Sequence, residues 1–145
     1  MKYEFKGNFL YYVRLVKRLN ERMLAQAAGR CGISVQEADV LLFLRENPEF
    51  DTARDVALYR EVSRAYVSNA VELLAARGYL TTAPNKDDRR LQHLKITDKA
   101  KFAADILHAA QFDFYDKITS SLTDNEIRLM LSLLEKCADE VIKNS

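Results

Sequence analysis

A short charged segment, Asn85-Lys86-Asp87-Asp88-Arg89-Arg90, lies between two stretches with strand character, Gly78-Tyr79-Leu80 and Leu94-Lys95-Ile96-Thr97. Strand segments on both sides of a polar turn indicate a β-hairpin whose tip faces solvent. An amphipathic segment with helical spacing directly precedes the hairpin. A helix followed by a small hairpin with arginines at its tip is the outline of a winged helix-turn-helix. The helix can enter a major groove while the tip reaches the minor groove or the backbone of a duplex.

The remainder of the sequence favours helices, since only four Gly and two Pro interrupt its 145 residues. Two of the glycines, Gly29 and Gly32, are predicted to end a first helix. Within that helix, apolar residues step alternately by four and three positions, a spacing that suits the packing of one helix along another. They are Phe5, Phe9, Tyr12, Val16, Leu19 and Met23.

Helix-capping residues predict where the later helices begin. Ser34 with Glu37, and Thr123 with Glu126, form capping boxes in which each side chain satisfies a free amide of the first turn. The predicted starts are Ser34, Thr52, Ser63, Thr97-Asp98 and Thr123. The predicted ends of the second, third and fourth helices are Asn47-Pro48, about Tyr59, and Gly78. The fold class predicted is therefore mostly α with a small β-hairpin wing.

Both ends of the chain carry apolar seams that a partner helix could cover. The sixth helix repeats the steps of four and three at Ile127, Leu131, Leu134, Ala138 and Val141, and the fifth places Ala103, Leu107, Ala110, Phe114 and Ile118 on one face. We expect a dimerisation helix at 1–32, a winged helix-turn-helix DNA-binding domain at 33–97, and C-terminal dimerisation helices at 98–145. The alternative is that the terminal helices pack only on their own chain.

The charge is distributed unevenly although the net charge is only +1. Residues 54–101 hold ten Lys/Arg against six Asp/Glu, whereas residues 102–145 hold four against eight. The basic excess therefore falls on the winged-helix segment, and the acidic C-terminal part would be repelled by phosphate, as DNA binding through one side requires. Ordinary variation in surface charge is the alternative interpretation.

The fourth helix is the predicted reading helix. At 100° per residue, Val67, Ala70, Val71 and Leu74 share the core face, and Ala65, Ser68, Asn69 and Glu72 lie opposite. Asn69 can offer a donor and an acceptor together, the pattern that pairs with adenine, and Ser68 can donate to a phosphate or a base. Arg54 and Arg64 lie near helix N-termini that already favour an anion. Ala65 and Glu72 could equally be solvated positions, and Tyr66 could equally be a half-buried support for the third helix.

The hairpin tip supplies the second group of expected DNA contacts. Lys86, Arg89 and Arg90 are its cations. Asp88, two residues before Arg90, can hold that guanidinium in one direction and so reduce the rotamer entropy lost on binding. A solvated turn rich in charge is the alternative for these residues taken alone.

The run from Tyr66 to Leu80, the Asp88-Arg89-Arg90 segment, and the run from Leu94 to Ala100 together resemble the MarR family of bacterial transcriptional regulators. The resemblance covers essentially the whole chain. It implies a homodimeric winged-helix regulator on palindromic DNA, with Asn69 and its neighbours facing the major groove and Asp88 and Arg90 pairing at the wing tip. The usual Asp-Pro opening of the wing is Asn85-Lys86 here, which suggests a less rigid loop, and a common glycine is replaced by Ala100.

The resemblance also implies a small, often aromatic or anionic, effector bound between the reading lobe and the dimerisation helices. Tyr11, Tyr12, Arg14 and Phe43 could line such a cleft, although core or surface roles suit them as well. Cys31 and Cys137 do not occupy the first-helix position used by thiol-sensing relatives, so redox sensing is not favoured.

Several other classes of function find no support in the sequence. The two histidines, His93 and His108, form no metal-ligand pattern with Cys or acidic residues, so we expect no metal or other cofactor. No nucleophile–base set or glycine-rich phosphate loop indicates an enzyme. The sequence has no membrane-spanning apolar run, no secretory signal pattern and no CxxC pair, which together favour the cytoplasm.

We therefore expect a cytoplasmic, homodimeric, sequence-specific DNA-binding transcriptional regulator, a ligand-responsive repressor on a palindromic operator. The alternative is a winged-helix protein-interaction module that does not bind DNA.

Overall fold

The computed structural model describes the backbone of residues 2–145 and the side chains of residues 8–145. Its elements in chain order are α1 (Lys2–Cys31), α2 (Val35–Glu46), α3 (Ala53–Arg60), α4 (Arg64–Ala76), β1 (Leu80–Pro84), β2 (Gln92–Ile96), a 3-10 turn (Asp98–Ala100), α5 (Lys101–Thr119) and α6 (Asp124–Lys143). Among the described residues, helices dominate and the two strands form one hairpin. The predicted fold class, mostly α with a β-hairpin wing, is confirmed.

The capping residues begin the helices as predicted at four places. The hydroxyl of Ser34 accepts a hydrogen bond from the Glu37 amide at 3.1 Å, and the Glu37 carboxylate accepts one from the Ser34 amide at the same distance. Equivalent reciprocal boxes begin α3 at Thr52 and α6 at Thr123, and a single cap from Ser63 begins α4. Local hydrogen bonding of this kind is readable from sequence because its partners lie three residues apart.

The first helix does not end at Gly29, which corrects one sequence prediction. The helix continues to Cys31, and Gly32 then takes the left-handed conformation, with φ of +66°. The amide of Ile33 donates to the Ala28 carbonyl at 3.1 Å across this turn. A glycine inside a helix costs only about 1 kcal/mol, which the packing of Ala27 and Ala28 in the core offsets.

The fifth helix also begins later than predicted, because Thr97 does not cap it. The Thr97 hydroxyl instead donates to the Gly78 carbonyl at 2.6 Å, and a 3-10 turn separates it from α5. Gly78 itself has φ of +77° and turns the chain from α4 into β1. Thr97 thus joins the two ends of the hairpin, a contact over 19 residues that no local pattern predicts.

The strands pair antiparallel, from Leu80 opposite Ile96 to Pro84 opposite Gln92. The loop before α3 adds a third short pairing, because Thr52 bridges to His93 and the Leu94 amide donates to the Asp51 carbonyl at 2.7 Å. The strand β2 is therefore fixed to the segment before α3 at His93 and Leu94, close to where the tip loop begins.

One core lies among α2, α3, α4, the hairpin and the packed halves of α1 and α5. The expected faces of α2 and α5 are largely buried, at Ala38, Leu41, Leu42, Leu44, Ala103, Leu107, Ala110 and Phe114. The seam at Tyr12 and Val16 in α1 is exposed, and α6 has no buried residue. Phe5 lies outside the residues whose side chains are described. Along the described part of the chain, no helix has both the length and the apolar character to cross a membrane.

Candidate nucleic-acid interface

The connection between α3 and α4 is a tight three-residue turn. Glu61 takes the left-handed conformation, with φ of 53° and ψ of 44°, and its amide bonds back into α3. The Val62 amide donates to the Ala57 carbonyl at 3.1 Å, and Ser63 then caps α4 by accepting from the Tyr66 amide at 3.0 Å. The two helices of a helix-turn-helix are thereby held in a fixed relation.

The two faces of α4 differ sharply in burial, as the sequence pattern predicted. Val67, Ala70 and Leu74 are fully buried, and Val71 is half-buried beside them. On the opposite face, the residues predicted to meet DNA are exposed: Arg64, Ala65, Ser68 and Asn69. The small side chains of Ala65 and Ser68 let another surface approach the helix backbone closely. Arg54, in the first turn of α3, is exposed as well.

Tyr66 lies on the boundary between these faces and packs against the core. Its pKa is raised, chiefly by burial and then by the charge of Asp39, although Arg60 acts in the opposite direction. The Arg60 Nε lies 3.3 Å from an Asp39 carboxylate oxygen, and its guanidinium lies 5.6 Å from the centre of the Phe43 ring. This position matches the second interpretation of Tyr66, as a support within the helix-turn-helix.

The wing tip carries the predicted pair of Asp88 and Arg90. One Asp88 carboxylate oxygen accepts from the Arg90 amide at 3.0 Å and lies 3.4 Å from Arg90 Nε. The Arg90 side chain is 94% exposed, so this pair adds little stability and acts mainly on the direction of the guanidinium. Lys86 and Arg89 are exposed on the same loop.

The sequence and the fold of this chain are similar to those of known transcriptional regulators. The profile of the MarR family matches residues 32–91, which span α2 to the wing tip. The HTH-type transcriptional regulator BilQ of Clostridium symbiosum is 23% identical over 128 residues, which cover 88% of each chain. The chain is thus similar to regulators of the MarR family.

Solved structures extend the match in fold to the terminal helices. A MarR transcriptional regulator from Methanosarcina mazei superposes with a TM-score of 0.76 at 19% identity, over 98% of this chain and 99% of that one. A mutant MarR from E. coli, complexed with operator DNA, superposes with a TM-score of 0.71 at 20% identity, over 92% and 96%. These likenesses establish the winged-helix fold of the MarR family over nearly the full length.

The sequence did not reveal a hydrogen-bonded group behind the wing. His93 on β2 lies between Asp51, which precedes α3, and Asn85, which opens the tip loop. The tendency of Asn to bond amides two residues ahead could have indicated the role of Asn85 in the loop. Nothing local could have joined Asp51 to His93, 42 residues away.

A cleft of about 570 Å³ lies between the end of α2, the base of the hairpin and the start of α5. Arg45 and Asp105 pair at its edge at 2.9 Å, and Lys95 and Lys101 add positive charge. None of the four residues expected to line an effector cleft borders this one. Phe43 is buried in the core, whereas Tyr11 and Tyr12 are exposed on α1.

The cysteines and acidic groups in the described part of the chain suggest no further chemistry. Burial raises the pKa of the Cys31 thiol and outweighs the opposing effect of Arg30, so thiolate formation is disfavoured there. Cys137 is exposed on α6. Within the described residues, no group of three or more His, Cys, Asp or Glu could hold a metal ion.

Proposed function

We propose that this chain is a cytoplasmic, homodimeric, sequence-specific DNA-binding transcriptional regulator, a ligand-responsive repressor on an inverted-repeat operator. The observation that carries the proposal is the joint exposure of a small polar face on α4 and of a paired arginine on the wing. BilQ is described as a transcriptional regulator, and one structural neighbour is complexed with operator DNA, which supports the same class of function here.

In this proposal the exposed face of α4 and the wing make different contacts with DNA. Asn69 and Ser68 read base edges in the major groove, with Ala65 allowing close approach. Arg54 and Arg64 contact phosphates near the helix N-termini. The wing cations Lys86, Arg89 and Arg90 reach the minor groove or backbone beside it, with Asp88 orienting Arg90. Tyr66, at the edge of this face of α4, packs against the core and supports the third helix.

Dimerisation follows from the apolar surface that the single chain leaves exposed. Leu131 is 58% exposed and Leu134 is 50% exposed on α6, and Tyr12 and Val16 are exposed on α1. A set of apolar side chains at coiled-coil spacing is stabilised by a second copy, which buries it. We therefore assign residues 1–32 and 98–145 to dimerisation and residues 33–97 to DNA binding. A two-fold dimer would present two α4 helices to successive major grooves.

We propose that the ligand binds in the cleft between the hairpin and α5. The cleft lies between the DNA-binding lobe and a dimerisation helix. Lys95 and Lys101 in its lining offer charge to the anionic group of a small aromatic acid, beside the carboxylates of Asp51, Asp98 and Asp105. A ligand that binds one spacing of the two lobes more tightly than the other shifts the population between them and changes DNA affinity. Titration with benzoate, followed by the release of bound DNA, tests this part separately.

The salt dependence of binding tests the proposed function against its alternative, a winged-helix module that binds a protein partner. DNA binding releases condensed counterions, so log affinity should fall with log salt by roughly 0.9 per neutralised phosphate. A labelled duplex measured from low to physiological ionic strength should show this steep decrease. Absence of duplex binding at low ionic strength would contradict the proposal and favour the protein-interaction module.

A further inference from the structure

Two side chains, Asn85 and Asp88, hold the wing tip through successive hydrogen bonds. The Asn85 amide oxygen accepts hydrogen bonds from the backbone amides of Asp87 at 2.8 Å and Asp88 at 3.1 Å. Asp88 in turn accepts from the backbone and side chain of Arg90. The backbone bond from the Asn85 amide to the Leu91 carbonyl, 2.9 Å long, closes the loop. The position of Arg90 thus depends on which way the Asn85 amide group faces.

A histidine fixes that direction. Because the Asn85 oxygen already faces the tip amides, its NH2 group faces the other way, where Nδ2 lies 2.9 Å from His93 Nε2. An NH2 group can only donate, so His93 Nε2 must be the bare, accepting nitrogen of a neutral ring. The proton then resides on Nδ1, which donates to the Asp51 carboxylate at 2.7 Å. A carboxylate partner selects this tautomer.

Asp51 joins the hairpin to the start of α3. Its backbone carbonyl accepts from the Leu94 amide at 2.7 Å, and it directly precedes the Thr52 capping box that begins α3. A continuous chain of hydrogen bonds therefore leads from the start of α3 through Asp51, His93, Asn85 and Asp88 to the wing arginine. Pro84 ends β1 directly before this loop, and these bonds constrain the loop itself.

We propose that His93 is a positioning residue for DNA binding: through Asn85 it orders the wing tip and aims Arg90. This inference rests on the proposed function, since it assigns the wing a contact with duplex DNA. His93 itself contacts no nucleic acid in this proposal. Its contribution is that the tip is ordered before binding, so less conformational entropy is lost when the arginine engages the duplex.

Two substitutions at His93 separate this role from general stability. In His93→Asn the shorter amide can still donate to Asp51 but cannot reach Asn85. In His93→Gln the longer side chain places an oxygen near the position of Nε2, where it can accept from Asn85 but loses the donor to Asp51. The half-exposed position of His93 tolerates both side chains.

The test compares the two variants with the wild type by NMR and by DNA binding. In His93→Asn, the backbone order parameters of residues 86–90 should fall, and affinity for a duplex selected from a random library should decrease about two- to tenfold, as expected for one lost hydrogen bond. His93→Gln should retain both properties. Ring nitrogen shifts of the wild type should show a proton on Nδ1.

Unchanged tip order in His93→Asn, or equal losses in both variants, would overturn the positioning role. The order parameters are measured on the free protein. If the wild type failed to bind any duplex while tip order still depended on His93, the proposed function would be contradicted and the hydrogen-bond chain would be retained.

Discussion

Arg77, which directly follows α4, donates two hydrogen bonds to the carboxylate of Glu37 in the first turn of α2, at 2.5 and 3.3 Å. Glu37 is 1% exposed and also completes the capping box with Ser34. One carboxylate therefore serves the start of one helix and the end of another, 40 residues apart. This pair fixes the C-terminal end of the reading helix against the core, directly before the chain turns at Gly78 into the wing.

Replacement of Glu37 by Gln should lower stability in a pH-dependent way. Burial alone would raise the pKa of Glu37, but hydrogen bonds from Arg77 and Ser34 outweigh it and lower the pKa below its ordinary value of 4.5. Because the pKa of Glu37 is lower in the folded than in the unfolded chain, its stabilising contribution is fully present above the unfolded pKa. That contribution is lost as the pH falls through the folded pKa. At neutral pH, Glu37→Gln should lose about 1 kcal/mol in urea unfolding, because a neutral hydrogen bond replaces charge-assisted ones.

The same measurement at lower pH provides the control. The difference in unfolding free energy between wild type and Glu37→Gln should shrink below about pH 4.5, as the wild-type carboxyl becomes protonated. A difference that stayed constant with pH would show that the charge on Glu37 does not contribute.

Glycine at position 61 should stabilise the chain. Glu61 is a non-glycine residue with positive φ in the helix-turn-helix turn, and this conformation costs an L-residue roughly 1–2 kcal/mol. Glycine adopts this conformation without that cost, but it also raises the conformational entropy of the unfolded chain, which opposes folding. Glu61→Gly should therefore raise the free energy of unfolding by about 0.5–1 kcal/mol. Glu61→Ala, which keeps the strained backbone, is the control and should not be stabilised. If Glu61→Gly lowered the free energy of unfolding, the Glu61 side chain would stabilise the fold by more than its left-handed backbone conformation costs.

Sequence patterns predicted those parts of the fold that depend on near neighbours. The Ser34, Thr52, Ser63 and Thr123 caps, the buried face of α4 and the Asp88–Arg90 pair all involve residues within one or two helical turns or one loop. The predicted end of the first helix at Gly29 was wrong, because tertiary packing outweighed the preference of glycine for helix ends. The predicted cap at Thr97 was wrong, because its hydroxyl bonds to the Gly78 carbonyl.

Contacts between distant segments were not predictable in the same way. The links from Glu37 to Arg77, and from Asp51 to His93, join residues about 40 positions apart, and a single sequence carries no signal for them. The roles predicted for the candidate DNA-contacting residues remain predictions. Most of these residues are exposed, whereas Tyr66 and Asp88 are half-buried.

Removal of the wing arginine should weaken DNA binding broadly and leave the fold intact. Arg90 is 94% exposed, so Arg90→Ala should not change the unfolding free energy measurably. Loss of one phosphate or minor-groove contact should reduce the slope of log affinity against log salt by about 1. Arg128→Ala removes an exposed arginine from α6, outside the candidate interface, and is the matched control. Equal effects of Arg90→Ala and Arg128→Ala on DNA binding would show that the wing is not part of the binding surface.

A change in the reading helix should affect sequence preference rather than general affinity. Asn69 is exposed on α4, and an asparagine that bonds adenine through donor and acceptor contributes about 1–3 kcal/mol of discrimination. Asn69→Ala should therefore relax the preference at particular base pairs, measured by competition between matched and mismatched duplexes. Glu72→Ala, on the same exposed face, provides the comparison. A uniform loss on all duplexes would show that Asn69 contacts the DNA backbone instead.

A charge on the exposed seam of α6 should separate the two copies of the dimer. Leu134 is 50% exposed in the single chain, so Leu134→Asp leaves the described core unchanged but places a carboxylate in the proposed interface. Light scattering should show a shift from dimer to monomer, with weaker DNA binding because the two half-sites act separately. Lys136→Asp, on the opposite face of α6, should remain dimeric. A dimeric Leu134→Asp would place the interface elsewhere.

The most direct test of the account is the selection of bound duplexes from a random library by the purified protein, followed by sequencing. Two copies of α4 related by a two-fold axis should enrich an inverted repeat whose half-sites lie about one helical turn apart. Enrichment of a single unrepeated half-site, or no enrichment at low ionic strength, would contradict the claim that a dimer presents paired reading helices to DNA.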